Sequence, residues 1–267
     1  MLRSLFTGIS GLRAHQQMLD VTSNNIANVN TVGYKSSSAV FEDTLSQTIS
    51  GAGAPAGVNG GIDPTQVGLG VQLAGTSTNF TQGSNQYTGR SSDLLINGDG
   101  FFVMNHGGQQ TYTRAGSFSL DASGHLVSPD GSMVQSAAGG DLDLSALNSG
   151  AYVSWSISPL GVVNGVNAAG VTTAIGTVAT ATFANPGGLA KIGDTQYETT
   201  ANSGPAVVGA PGAGGRGSLT AGYLEMSNVD LASELTNLII SERGFQANSR
   251  VITTSDEVLQ SLISLKQ

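Results

Sequence analysis

The stretch "SNNIANVNTVGYK", residues 23 to 35, ends a long helical pattern and turns the chain in a new direction. Its four asparagines, Asn24, Asn25, Asn28 and Asn30, suit a helix end better than a helix interior, because the side-chain amide competes with the backbone for hydrogen bonds. Asparagine also tolerates the left-handed conformation, and Gly33 has no Cβ to clash there. We therefore predict that these five residues form a helix-to-connector turn.

Apolar residues before this turn recur on one helical face, which predicts an N-terminal helix over residues 1–33. A second helix is predicted over 223–267, where Leu231 begins a column that repeats every seven residues as far as Leu259. Ser227 or Asn228 could cap its start. Both stripes require a helical partner, and we predict a seam formed by Leu5, Ile9, Leu12, Leu19, Ile26, Leu231, Leu235, Leu238, Phe245, Ile252, Leu259 and Leu262.

The middle of the chain has a different pattern. Residues 76–222 contain short β-type runs such as "DLLING", "GFFVMN" and "YVSWSIS", separated by turns that include Asn97-Gly98 and Asp130-Gly131. "DLDLSAL", 141–147, alternates as a strand does. Residues 34–75 are expected to be an extended connector containing a Gly/Ala/Pro linker at 46–70, and 204–217 a return linker. The predicted class is α+β, with helices at both ends and a central all-β domain.

Composition narrows the function classes. Charged residues make up 10% of the chain and the net charge is -8, so the chain has little with which to neutralise phosphates, and we expect no nucleic-acid partner. Glycine occurs 38 times and the surface must be largely neutral, which suits a protein surrounded by neighbours in an assembly. The absence of cysteine excludes disulfides and thiolate chemistry. No apolar run is long enough to span a membrane, and the N-terminal helix lacks a basic face, so stable membrane insertion is not expected.

No residue pattern points to chemistry. His15, His106 and His125 are scattered, and the aspartates Asp121 and Asp130 lie in predicted turns. "GAPGAGGRG" lacks the Gly-Lys-Ser/Thr ending of a phosphate-binding loop. We therefore expect no enzyme activity, no catalytic or metal-binding residues, no cofactor and no small-molecule substrate. Two other classes were weighed: an adhesin or ligand-binding β domain with accessory helices, and a polysaccharide-acting enzyme that uses two aspartates. Neither requires striped helices at both ends of the chain.

The two ends resemble a known family. "MLRSLFTGISGLRAHQQMLDVTSNNIANVNTVGYK" resembles the N-terminal signature of bacterial flagellar rod and hook proteins, and "SNVDLASELTNLIISERGFQANSRVITTSDEVLQSLISL", 227–265, resembles their C-terminal signature. "FEDTLSQTISG", "GLGV", "DLLINGDGFFVM" and "YTRAGSFSLDASGHLV" are similar to inner β segments of the same family. The resemblance covers both ends and residues 34–135. Residues 136–205 show no family motif, as expected for the variable part of the outer domain.

The resemblance implies a fold and a role. Both termini would form an inner helical domain of a tubular homopolymer, with the β domain outside, after export through the flagellar export apparatus without a cleaved signal peptide. Partners would be other axial proteins: rod, hook cap and hook–filament junction. "SQTISGAGAP" and "DPTQVGLGVQ" look more like short hook proteins, so the expected function is a hook subunit, which forms a flexible joint and an export channel on the cell exterior. The alternative is a distal rod subunit in a rigid drive shaft of the basal body.

Overall fold

The computed structural model describes residues 2–55, 60–148 and 150–265. A 3-10 helix lies at Pro186–Gly188. In chain order the α-helices and strands are α1 (Leu2–Ala27), β1 (Ser37–Asp43), β2 (Ser46–Ser50), β3 (Thr65–Gly68), β4 (Val71–Thr78), β5 (Asn85–Tyr87), β6 (Leu94–Asn97), β7 (Phe101–His106), β8 (Gln109–Thr113), β9 (Ser119–Leu120), β10 (Leu126–Val127), β11 (Met133–Val134), α2 (Ser145–Asn148), β12 (Tyr152–Ile157), β13 (Val162–Asn167), β14 (Thr172–Thr177), β15 (Thr180–Thr182), β16 (Ala190–Gly193), β17 (Gln196–Glu198), β18 (Val207–Gly209), β19 (Ser218–Ala221), β20 (Tyr223–Glu225) and α3 (Leu231–Ser264).

The described chain divides into two compact units. The helical unit contains residues up to 27, 37–78, and 230 onward, while the β unit contains 28–36 and 79–229. The α+β class predicted from the sequence is therefore confirmed.

Both helix boundaries differ from the predicted ones. α1 ends at Ala27, and the segment after it turns through a hydrogen bond of 3.1 Å from Thr31 N to Asn28 O. α3 begins at Leu231, and its N-cap is Asp230, whose carboxylate accepts a hydrogen bond from Ala232 N. The predicted caps are wrong because Asn228 bonds instead to backbone groups of Ser36, Asn79 and Thr81, and Ser227 accepts from Val229 N.

The α1–α3 pair is antiparallel and is built on small and polar residues. Pairs of facing residues run in opposite directions along the two helices, from Ser4 with Ser255 to Asn25 with Glu234. A Cβ on Gly11 would lie 2.8 Å from Asn248 Nδ2, and one on Gly244 would lie 2.7 Å from His15 Nδ1. The helices approach this closely only because those side chains are absent. Ile252 of the predicted heptad column also takes part in this contact, since its Cγ1 would lie 3.3 Å from a Cβ on Gly8.

Asn25 holds three elements of the helical unit together. Its side chain is 1% exposed, and its Oδ1 accepts a hydrogen bond of 3.0 Å from Ser37 N. Its Nδ2 donates to Ser37 O at 2.7 Å and to Glu234 Oε1 at 2.9 Å. The amide therefore ties the end of α1 to the start of β1 and to the first turn of α3. A buried amide satisfied in this way specifies one arrangement of these elements.

The expected linker at 46–70 contains strands. β2 and β3 pair antiparallel and every residue of the two strands is exposed, while β1 pairs antiparallel with β4. Threonine, isoleucine and valine in these runs favour extended backbone, and this preference outweighs the neighbouring glycines. The return linker at 204–217 likewise contains β18, which pairs with β15.

The β unit is organised around strand β7. A nine-stranded sheet runs in the order β16-β17-β8-β7-β11-β10-β9, with β15 also paired to β7 and β18 to β15. Phe102 and Met104 of β7 enter one apolar cluster, while Phe101 and Val103 enter another on the opposite face. Because successive side chains of a strand point to opposite faces, β7 is buried on both sides. It is therefore the central strand of the unit.

The segment "DLDLSAL" forms only part of the predicted strand. Leu142 and Leu144 are buried as the alternation predicts, and Asp141 and Asp143 each make an isolated β-bridge. The carboxylate of Asp143 accepts a hydrogen bond of 2.8 Å from Ser145 N, and α2 begins at that serine. A side chain bonded to the backbone two residues further on forms an Asx turn, which ends the extended run.

An ion cluster lies inside the β unit. Glu225 is 1% exposed and Lys35 0% exposed, and Lys35 Nζ donates to Glu225 Oε1 at 2.6 Å. Arg114 Nη1 donates to Glu225 Oε2 at 3.3 Å, and its guanidinium lies 5.4 Å from the centre of the Phe101 ring. Burial lowers the pKa of Lys35 although the Glu225 carboxylate opposes this shift. The buried Glu225 carboxylate thus forms ion pairs with both Lys35 and Arg114.

Replacing Lys35→Met should lower the free energy of unfolding of the β unit by about 3–5 kcal/mol, because it leaves a buried carboxylate without its closest cation. Denaturant unfolding of the full chain measures the change. The control is Lys191→Met, since Lys191 is exposed and lies 5.1 Å from the Tyr34 ring; its cost should stay near ~1 kcal/mol. Equal losses in both variants would contradict a special role for the buried pair.

Replacing Gly11→Leu should destabilise the helix pair, because the new side chain overlaps Asn248. Overpacking typically costs about 1–3 kcal/mol, which exceeds the ~0.8 kcal/mol that leucine gains over glycine in helix propensity. Thermal melting of the full chain, followed by circular dichroism at the helix band, should show a lower midpoint. Gln16→Leu adds a similar side chain at an exposed position of α1 and should leave the midpoint unchanged or higher.

Candidate assembly surface

The helical unit carries many large apolar side chains that are exposed in the single chain. These residues, called here the apolar helix surface, range from Ile9, 38% exposed, to Leu265, 83% exposed. Burying such a side chain is worth roughly 1.5–3 kcal/mol each, so this surface favours association with another protein surface. Its members are Phe6, Ile9, Leu231, Leu235, Ile239, Ile240, Phe245, Val251, Val258, Leu262, Ile263 and Leu265.

The predicted seam residues fall into two groups. Ile9, Leu231, Leu235, Phe245 and Leu262 belong to the apolar helix surface. The others are half-buried: Leu5, Leu12, Leu19, Ile26, Leu238, Ile252 and Leu259. The inter-subunit role of both groups stays a prediction.

Sequence reasoning missed part of this surface. Phe6, Ile239, Ile240, Val251 and Val258 are exposed but lie outside the predicted seam. A signal for two of them exists, because Val251 and Val258 are also seven residues apart. A single heptad column per helix describes one contact, whereas α3 carries apolar residues on more than one face.

Charged side chains are spread along both helices. Within residues 2–27 and 231–264, the charged side chains that the structure describes form no ion pair with one another. Glu242 accepts a hydrogen bond from Gln246, and Gln246 accepts one from Arg243, along the exposed face of α3. A neighbouring surface must therefore leave these charges in water or supply partners for them.

A groove of about 450 Å³ lies beside α1 in the helical unit. Phe6, Ile9 and Arg13 contribute from α1, and Val71 and Leu73 contribute from β4. Two of its lining residues belong to the apolar helix surface. The apolar helix surface therefore continues from α1 onto the antiparallel β1–β4 pair.

The predicted turn residues contribute to different units. Asn25 lies in the helical unit, as described above, and Asn24 is an exposed residue of α1. Asn28, Asn30 and Gly33 lie in the β unit. Gly33 has a φ of +69°, and a Cβ there would lie 2.7 Å from Ala115 Cα. Only glycine fits this position without strain.

One cluster in the β unit has the residue types of a catalytic triad. His106 Nδ1 lies 2.9 Å from Ser132 Oγ, and Ser132 donates to Asp130. Burial raises the pKa of Asp130, but hydrogen bonds from Ser132 and Ser128 outweigh it and the net shift is downward. Ser132 is fully buried, so a substrate cannot reach its hydroxyl. The cluster fastens the β10–β11 turn to β7 and β17, where Gln196 also donates to Asp130.

Across the described residues, no three His, Cys, Asp or Glu side chains are grouped as a metal site requires. None of the described helices combines the length and apolarity needed to cross a bilayer.

Three family models match the chain. "Flagella basal body rod protein" matches residues 5–35, "Flagellar hook protein FlgE/F/G D1 domain" matches 95–165, and "Flagellar basal body rod FlgEFG protein C-terminal" matches 220–265. The second match extends past 135, into the region where inspection of the sequence finds no family motif. Part of the supposed variable region therefore belongs to the family domain.

Full-length relatives agree with these matches. The flagellar basal-body rod protein FlgG of Bacillus subtilis is 47% identical over 268 residues, covering 100% of both chains. FlgG of Caulobacter vibrioides is 39% identical, covering 99% of this chain and 100% of the relative. The flagellar hook protein FlgE of Borreliella burgdorferi is 29% identical over 441 residues.

These identities do not support the preference for a hook protein that "SQTISGAGAP" and "DPTQVGLGVQ" suggested. Those segments contribute β2 and β3, whose residues are exposed throughout, and such a strand pair does not discriminate between the two roles. The family itself is shown by relatives well above 30% identity that match over the whole chain. The chain belongs to the flagellar basal-body rod and hook protein family and is a structural subunit of the bacterial flagellum.

Proposed function

We propose that this chain is a distal rod subunit, which polymerises into a straight tube within the basal body. The observation that carries the proposal is the 47% identity to a protein named as a basal-body rod protein, against 29% to one named as a hook protein. The rod also fits the chain length, since the alignment to the rod relative spans 268 residues and that to the hook relative spans 441.

The apolar helix surface supports polymerisation of the chain with itself. Leu235 is 51% exposed, and Ile239 and Ile240 follow it about one helical turn later. This stretch of α3 therefore presents several exposed apolar side chains. A neighbouring copy that covers these side chains removes from water apolar area that the α1–α3 contact leaves exposed. Burial of this area stabilises the assembly. Each copy in a tube contacts several neighbours, so each can bury more than one face.

The remaining functional expectations are proposals of the same kind. The chain acts as a mechanical part and not as a catalyst, and it requires no cofactor. Its partners are further copies of itself, the axial proteins that precede and follow it, and the flagellar export apparatus. Low charge and many glycines suit such contacts, because they remove little solvation when surfaces meet.

Replacing Leu235→Asp should prevent polymerisation, because a charge buried without a partner costs several kcal/mol at each contact. The isolated subunit should keep its fold, since Leu235 is exposed. Sedimentation and electron microscopy of the purified protein measure assembly, and circular dichroism checks the fold. Ser233→Asp places the same charge two residues away at an exposed position and should assemble normally. Tubes formed by Leu235→Asp would count against the surface.

Deletion of the gene distinguishes rod from hook. Cells that lack a distal rod subunit should stop assembly before the rod is complete, so isolated basal bodies should show shortened rods without hooks. Cells that lack a hook subunit should show complete rods that end bare. Electron cryotomography measures rod length directly, with a strain carrying the restored gene as control. Complete rods in the deletion strain would overturn the rod proposal and favour the hook.

A further inference from the structure

The chain passes between its two units four times, at 27/28, 36/37, 78/79 and 229/230. Within the β unit these passages belong to three segments: 28–36, the segment that starts at 79, and the segment that ends at 229. Any force that one unit exerts on the other through the covalent chain enters the β unit along these segments.

A polar cluster joins the three segments inside the β unit. Glu225 Oε1 accepts hydrogen bonds from Lys35 Nζ at 2.6 Å and from Gly83 N at 2.9 Å. Lys35 Nζ also donates to Thr81 O at 2.7 Å, and Gly33 N donates to the backbone carbonyl of Glu225 at 2.8 Å. One buried ion pair thus bonds to all three segments.

Asn228 makes a second set of bonds among the same segments. Its Oδ1 accepts from Ser36 N at 2.9 Å, and its Nδ2 donates to Asn79 O at 2.9 Å and to Thr81 O at 3.1 Å. Asn79 N completes the set by donating to Ser36 O at 2.8 Å. These bonds lie at the residues where three of the four passages occur.

Arg114 connects this cluster to the main sheet. It follows directly after β8, donates to Glu225 and lies over the ring of Phe101, a residue of the central strand β7. Through Arg114, force on the three segments is therefore transmitted directly to β7, the strand that is buried on both faces.

We propose that Lys35, Glu225 and Asn228 form a load-bearing clamp, which makes the β unit resist force applied through its four chain connections. Its relevance to torque in a rod rests on the proposed function, but the mechanical property belongs to the single chain. Because these bonds link the segments to one another, a segment that leaves the β unit must break several of them at once, whereas separate bonds would break one at a time.

Force spectroscopy on the full chain tests the clamp, and the absence of cysteine allows handles at chosen positions. In the first geometry, Gln17→Cys in α1 and Ala168→Cys in the β13–β14 turn direct force through the chain connections. In the second, Ser123→Cys and Ala168→Cys are both exposed in the β unit, and force bypasses the connections. Forced unfolding is governed by the unfolding rate, which the instrument measures at constant load.

Glu225→Gln should raise the rate of β-unit rupture roughly tenfold or more in the first geometry, with a much smaller change in the second. The control Val163→Ala removes buried side-chain volume from the apolar core and should accelerate rupture similarly in both geometries. Asn228→Ala gives a second test, because Asn228 is only half-buried and its loss leaves the ion pair intact. Equal effects of Glu225→Gln in both geometries, or no effect in the first, would overturn the clamp. Neither result depends on whether the chain forms a rod.

Discussion

The buried carboxylate of Glu225 is the constraint on which the β unit depends. A charge removed from water is tolerated only when cations and hydrogen-bond donors surround it, and here the donors come from Lys35, Gly83 and Arg114. These residues are far apart in sequence, so the carboxylate is satisfied only when all three have reached their native positions. An alternative strand register would leave the charge unpaired. The cluster therefore specifies one arrangement, beyond what the apolar clusters alone would select.

The helical unit differs from the β unit in the contacts that stabilise it. Glycines allow the close approach of its two helices, and serine and asparagine side chains line much of that contact. Many of its large apolar residues nevertheless remain exposed. A helix pair of this kind gains less from its own contact than from contact with other surfaces, because the hydrophobic contribution scales with the apolar area removed from water. The unit is thus suited to a subunit whose neighbours complete its core, in agreement with the family to which the chain belongs.

Part of this architecture can be read from the sequence. Heptad spacing predicts both long helices, and β-type runs predict strands at "DLLING" and "GFFVMN" correctly. The close approach of the helices at Gly8, Gly11 and Gly244 is not predicted, because heptad spacing records only the positions of large apolar residues. The N-cap is assigned to Asn228 or Ser227 because local spacing cannot show that Asn228 is already engaged by residues near 36 and 79. Lys35 gives no local signal at all, since its partner is 190 residues away.

Many polar residues lie around position 30 because residues of this short segment form hydrogen bonds within two different units. Inside the helical unit, the Asn25 side chain forms hydrogen bonds with both backbone groups of Ser37, and it also donates to the Glu234 carboxylate. Gly33, Lys35 and Ser36, which lie between them in sequence, bond to Glu225 and Asn228 inside the β unit. A segment of about a dozen residues thus supplies bonds to the cores of both units, so few of its positions can change without cost to one or the other. Regular helix or strand could not meet both demands, because each would align the polar groups with its own backbone ladder. An irregular stretch rich in asparagine, with one glycine at a positive φ, meets both.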